Sequence, residues 1–133
     1  MTESLIDAND REITLTTGIY DLLKEQVRVR KVTPLEGKIL TRQLKRAKQV
    51  TRRNLPENVV TVNARVTIKD LSTSEFQNFV FVAPDKAKKK NKTESILSTM
   101  GLALVGCREG DVVSWVFDDG IKEVEVVSVK RLA

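Results

Sequence analysis

Histidine is absent from this 133-residue chain, and cysteine occurs once, as Cys107. These two absences exclude a disulfide framework, the usual zinc ligand sets and every acid–base or nucleophilic scheme that runs through imidazole. A single thiol suits a reducing compartment, so a cytoplasmic location is expected. Long apolar runs are missing too: no stretch approaches the ~18 residues of a membrane span. The opening "MTESLIDANDREI" is acidic and polar, without the basic and apolar regions of a signal peptide. No phosphate-cradling glycine loop occurs, since "GLALVG" lacks the spacing of one. Aromatic residues are scarce. Tyr20, Phe76, Phe79, Phe81, Trp115 and Phe117 alternate poorly with basic residues, so they read as core and not as a base-stacking platform.

What remains is a chain long enough to bury its own core, as one domain or as a small domain with an appended element. Its 23 Lys and Arg outnumber 18 Asp and Glu, a mild excess that permits an anionic partner without demanding one. Residues 1–14 read as a polar N-terminal tail, loose up to about Asp10. In "TLTTGIYDLLKEQVRVRKV", Thr16 or Thr17 is a candidate N-cap, and Ile19, Leu22, Leu23, Gln26 and Val29 recur at helical spacing. The β-branched Val27, Val29 and Val32 weaken that helix toward its end, and Pro34 closes it by disfavouring helical geometry at Thr33. A second helix is expected from Pro34 to about Thr51, with Thr33 as N-cap and Glu36 near the positive helix end. Its apolar stripe is Leu35, Ile39, Leu40, Leu44, Ala47 and Val50, and the short connection makes residues 15–54 an antiparallel helical hairpin, a short coiled coil.

At "NLPENVV" the periodicity changes from helical to alternating, and residues 55–133 read as an antiparallel sheet carrying one short helix. "VVTVNARVTIKDL" alternates from Val60 to Ile68, "STS" is a turn, and "EFQNFVFVAP" is the next strand, ending at Pro84. After the lysine-rich "DKAKKKNK", "TESILS" is a short strand and "TMGLALVGCREG" a short helix ended by Gly106 or Gly110. "DVVSWVF" and "IKEVEVVSVKRL" form a hairpin about Asp118-Asp119-Gly120. The fold class is therefore α+β.

Chemistry-bearing groups are few. Asp118 and Asp119 could hold a metal ion, but neighbours at a strand end point apart and Asp-Gly is a frequent turn, so the turn reading is preferred. Lys86, Lys88, Lys89, Lys90 and Lys92 could neutralise phosphates, against the plainer reading of a solvated loop. Cys107 sits beside Arg108, yet with no other catalytic group in the pattern it reads as an inert small residue. Between Gly37 and Pro56 lie Lys38, Arg42, Lys45, Arg46, Lys48, Arg52 and Arg53, with no acid. That uniformly positive face is balanced between a solubilising surface and a contact with nucleic acid or acidic protein. No catalytic residue, metal ligand or cofactor is nominated.

Three segments in order, "LPENVVTVNARVTIKDL", "STMGLALVGCREGDVVSW" and "DDGIKEVEVVSV", resemble the C-terminal domain of the bacterial Gre transcription elongation factors, and most closely the short-armed Rnk (regulator of nucleoside diphosphate kinase) branch. The resemblance implies an FKBP-like sheet without isomerase activity, since fold alone does not carry function, and an N-terminal antiparallel coiled coil. It also implies a partner, RNA polymerase, with the sheet domain docked on the rim of the secondary channel and the coiled coil in the pore. The docking loop maps onto Ser98, Thr99, Met100 and Gly101, with Thr99 where the family usually has proline.

Cleavage-stimulating Gre factors carry an Asp and a Glu close together at the coiled-coil tip, which help hold a second Mg²⁺ in the polymerase active site. Here the corner offers Glu36 alone, among Arg28, Arg30, Lys31 and Lys38. A first helix of some 14 residues also spans only about 20 Å at 1.5 Å per residue. The expected function is therefore a polymerase-binding regulator that does not stimulate transcript cleavage and is not an enzyme. A second reading is a nucleic-acid-binding module that tracks phosphates with Arg42, Lys45, Arg46, Arg52 and Arg53. A third, an active cleavage cofactor using Asp7, Asp10 or Glu12, needs the N-terminal tail near the tip, whereas the hairpin topology puts it at the base. Neither a membrane nor a small-molecule substrate is expected.

Overall fold

The computed structural model describes residues 2–9, 11–88 and 91–132, with side chains from Leu5 onward. Two compact units divide the chain, Met1–Leu55 and Pro56–Ala133.

The first unit runs α1 (Thr2–Ala8), β1 (Thr14–Thr16), α2 (Thr17–Arg28), α3 (Pro34–Arg46) and β2 (Lys48–Val50), followed by a 3₁₀ turn over Arg52–Asn54. Thr16 caps α2, its Oγ1 accepting from the Ile19 N–H at 3.4 Å. Ile19 and Leu23 on α2 are buried, as are Ile39, Leu40 and Leu44 on α3, and the two helices pack together along these residues. Each aliphatic side chain so withdrawn from water contributes about 1.5–3 kcal/mol. Val29 lies outside the packed stripe at 39% exposed.

Two expectations fail in this unit. The segment up to Asp10 is not a loose tail, because Thr2–Ala8 is helical and packs on α3. Leu5 is buried, Ile13 and Leu15 likewise, and the Asn9 backbone carbonyl accepts from Gln43 Nε2 at 3.1 Å. These anchors are spaced too irregularly to read as an apolar stripe. In addition, α3 ends at Arg46, well short of Thr51. Ala47 leaves helical geometry at ψ 137°, and Lys48–Val50 then pairs in parallel with Thr14–Thr16. A strand contact remote in sequence therefore overrides the helical periodicity that Val50 had continued.

The second unit contains β3 (Ala64–Asp70), β4 (Phe76–Val82), β5 (Thr93–Ser95), α4 (Thr99–Leu104), β6 (Val112–Phe117) and β7 (Gly120–Arg131). The strand order is β5-β4-β3-β7-β6. The pairs of β3 with β4, β3 with β7, and β6 with β7 are antiparallel, as expected, but β5 joins β4 in parallel, so the sheet is mixed. The long connection through Pro84–Lys86 and the lysine-rich loop returns β5 in the direction of β4 instead of folding it back as a hairpin. Trp115, Phe81, Ile68, Val66, Val113 and Val126 fill the core. Phe76 corrects the reading of the strand aromatics as core: it is 61% exposed, with Lys69 Nζ 5.8 Å from its ring centroid.

The first strand also begins later than Val60. Asn63 takes φ 58°, which breaks the ladder and shifts the alternation, so that Thr61 is buried and Val62 only half-buried. Val60 is instead held outside the strand, its N–H donating to the Cys107 carbonyl at 2.8 Å and its own carbonyl accepting from Gly106 at 3.0 Å. The "CREGD" motif continues that clasp. Gly110 N–H donates to the Val126 carbonyl at 2.8 Å, Val126 N–H to the Asp111 carbonyl at 2.9 Å, and Val129 N–H to Glu109 Oε2 at 2.8 Å. Those bonds occupy the N–H and carbonyl of Val126 and the N–H of Val129, around the register shift between Ser128 and Val126.

Candidate functional site

The corner between α2 and α3 is built by two caps. At the end of α2, Arg30 N–H donates to the Val27 carbonyl at 3.2 Å and Lys31 N–H to the Gln26 carbonyl at 3.0 Å, with Arg30 at φ 58°. This is the Schellman arrangement with arginine where glycine is usual. At the start of α3, Thr33 Oγ1 accepts from the Glu36 N–H at 3.1 Å, and Glu36 Oε1 accepts from the Thr33 N–H at 3.1 Å. That reciprocal capping box holds Glu36 at 9% exposure. Arg28 is exposed and its guanidinium grips Glu25 through two nitrogens, at 2.6 and 2.7 Å, which lowers the Glu25 pKa and raises that of Arg28. Arg30 and Lys31 are also exposed. The corner is therefore a cationic surface whose one nominated acid is turned inward to the backbone.

All seven cations of the basic segment are exposed. Arg42 pairs with Asp7 at 3.0 Å, so α1 lies along α3 and not at the foot of the hairpin. The Arg42 partner of Asp7 is nevertheless eight residues along α3 from Pro34, about 12 Å of helix. Glu12 is exposed, and Asp10 lies outside the described residues. An open groove of about 980 Å³ runs between α1, the end of α2 and α3, floored by Ile6, Val27, Pro34 and Thr41 and rimmed by Arg30 and Lys38. Its cations were legible in the sequence, but its apolar floor was not, because Ile6 belongs to the helix that polar composition concealed.

In the second unit, Ser98 caps α4. Its Oγ accepts from the Gly101 N–H at 3.1 Å and donates to Glu94 Oε2 at 2.8 Å. Thr99 is exposed and Met100 half-buried, whereas Gly101 is buried against the Ile96 backbone, where a Cβ would overlap the Ile96 carbonyl. Gly101 thus shapes the loop, and Ser98, Thr99 and Met100 are the members with atoms to offer.

Asp118 and Asp119 form the expected turn, with Gly120 at φ 116°. Asp119 pairs with Lys122 at 2.6 Å, a bond that lowers the Asp119 pKa and raises that of Lys122. Cys107 is buried, with Sγ 3.9 Å from the Ala103 carbonyl oxygen. In the lysine-rich loop, Lys86, Lys88 and Lys92 are exposed, and Lys89 and Lys90 lie outside the described residues. Among the described residues, no three acidic or cysteine side chains cluster as a metal site. No helix among them is long and apolar enough to cross a membrane.

Residues 55–131 match the family model described as "Transcription elongation factor, GreA/GreB, C-term". Transcription elongation factor GreA of Clostridium botulinum is 36% identical over 98 residues, which cover 72% of this chain and 61% of that protein. The Escherichia coli regulator of nucleoside diphosphate kinase is 34% identical over 82 residues, covering 62% of this chain and 60% of its own length. The chain therefore spans about three-fifths of these curated relatives. In three dimensions it is similar to the prokaryotic transcription elongation factor GreA/GreB from Nitrosomonas europaea, with a TM-score of 0.67 at 26% identity over 90% of this chain and 98% of that one. By the match over residues 55–131, more than half of its length, this chain belongs to the GreA/GreB C-terminal-domain family.

Proposed function

We propose that this chain is a regulator of bacterial RNA polymerase of the Gre and Rnk type, acting in the cytoplasm and without catalytic activity of its own. In this reading the sheet unit docks at the rim of the secondary channel through Ser98, Thr99 and Met100, and Gly101 holds that loop in shape. The helical hairpin presents Arg28, Arg30 and Lys31 toward the pore and regulates by occupancy, in competition with other channel-binding factors.

The observation that carries the cleavage-silent part is the state of Glu36. Its carboxylate accepts from the Thr33 N–H at 3.1 Å, and the Glu25 carboxylate at the end of α2 is held by Arg28 at 2.6 Å. A hard divalent cation needs several oxygens with room for water and phosphate, which this inward-turned carboxylate does not supply. Binding to core polymerase, followed by a transcript-cleavage assay on a backtracked complex, tests the reading. Retention by polymerase that Thr99→Arg weakens, with no cleavage above background, is expected. No retention, or cleavage that Glu36→Ala abolishes, contradicts it.

A second reading, a nucleic-acid-binding module, draws on the exposure of Arg42, Lys45, Arg46, Arg52 and Arg53. It requires polymerase-independent binding that weakens steeply with salt.

A further inference from the structure

The net charge of the chain is confined to its helical unit. Residues 1–55 hold twelve Lys or Arg against seven Asp or Glu, whereas residues 56–133 hold eleven of each. Within that unit the cations border an apolar seam. The groove over Ile6, Val27, Pro34 and Thr41 continues past Val27 and Thr41 onto Tyr20 and Leu44. Neither stretch is lined by an acid among the described residues. Arg30, Lys38 and Lys45 make no ion pair among them either.

We propose that this seam is a docking groove for an acidic amphipathic helix of a protein partner. The partner's aliphatic side chains rest between Val27 and Thr41, and its carboxylates meet Arg30, Lys38 and Lys45. The chain itself contains a short version of such an occupant. Helix α1 turns Leu5 inward, places Ile6 along the groove and sets Asp7 on Arg42 at 3.0 Å. An acidic helix with an apolar stripe already lies against α3 in this way, and the unfilled remainder of the seam offers the same two chemistries. Nucleic acid fits less well. Phosphates would use the rim and leave the aliphatic floor uncovered, and among the described residues Tyr20 is the one aromatic ring along it for a base to stack on. An amphipathic helix uses both floor and rim.

The inference stands apart from the polymerase reading, since a chain that fails to bind polymerase can still take such a helix. Its test uses the full-length chain and a fluorescein-labelled synthetic peptide of about sixteen residues, long enough to form a helix on binding. Leucines sit at helical spacing on one face and glutamates fill the rest. A scrambled peptide of equal composition and a single-stranded RNA serve as comparisons, with fluorescence anisotropy as the readout. The patterned peptide is expected to bind at least about tenfold more tightly than the scrambled one. Thr41→Glu and Lys45→Glu should each weaken it by about tenfold with the circular dichroism spectrum unchanged, while Lys88→Glu leaves it unaffected. Thr41 and Lys45 are both exposed, so these variants keep the fold. Absence of binding, or equal affinity for the patterned and scrambled peptides, overturns the proposal. So does a loss of RNA binding in the groove variants with peptide binding intact, which would make the seam a nucleic-acid site.

Discussion

Glu36 shows how a residue placed by sequence near a functional tip is claimed by local structure. Its carboxylate and the Thr33 hydroxyl each satisfy a backbone donor that the start of α3 would otherwise leave open. Thr33→Ala is expected to cost about 1 kcal/mol in urea denaturation, the usual loss when a hydroxyl cap is removed. Arg30 stands in the opposite position, in a left-handed conformation that costs a side-chain-bearing residue roughly 1–2 kcal/mol. Arg30→Gly should relieve part of that strain and raise the urea midpoint, even though it removes a surface charge. Gly101→Ala should do the reverse. Its Cβ meets the Ile96 carbonyl, which is backbone and cannot step aside, so a loss of about 1–3 kcal/mol or more is expected. An unchanged midpoint in Gly101→Ala would mean that the loop before α4 is not held as tightly as the packing implies.

The elements that the sequence made legible are those whose signals are local. Caps at Thr16 and Thr33, the proline at the head of α3 and the Asp-Gly turn all report on bonds between near neighbours, and each stands where the spacing put it. Elements set by distant contacts were not legible. The parallel pairing of Thr14–Thr16 with Lys48–Val50 cuts α3 short, and the parallel docking of β5 on β4 depends on the path of a long loop. The candidate site divides the same way: the cations of the corner and of α3 could be read directly, but the capping role of Glu36 and the groove floor needed the packing. The β6–β7 hairpin carries a prediction at this scale. Asp119 lies below the ordinary carboxylate value of 3.8 mainly through its bond with Lys122. Asp70 is also lowered, first by the Ser72 hydroxyl, with Lys122 a smaller contributor. Carboxylates lowered by folding stabilise the native state above their ordinary value, and that contribution is lost as pH falls through the lowered values. The Tm should therefore drop on acidification below pH 3.8, and Lys122→Met should flatten that drop. Because Asp119 is exposed, added salt should shrink the difference between the two proteins.

At the scale of the whole molecule, charge and contact chemistry are separated between the two units. The sheet unit is neutral by count and carries the Ser98 corner, whereas the helical unit holds the net charge of +5, a cationic end and a basic groove. The 13 residues of α3 extend for about 20 Å. At its start the Glu36 carboxylate is bound to the Thr33 N–H. Such a division suits a factor that gains affinity from one unit and regulates by the space and charge of the other. Occupancy of the polymerase channel without delivery of a metal-binding acid pair should show itself as competition. A backtracked elongation complex is held with a cleavage-active Gre factor, and transcript cleavage is followed as this chain is added. Progressive suppression of cleavage, with none produced by this chain alone, is expected. Cleavage that stays constant at saturating amounts of this chain, or rises with it, would rule out channel occupancy of this kind.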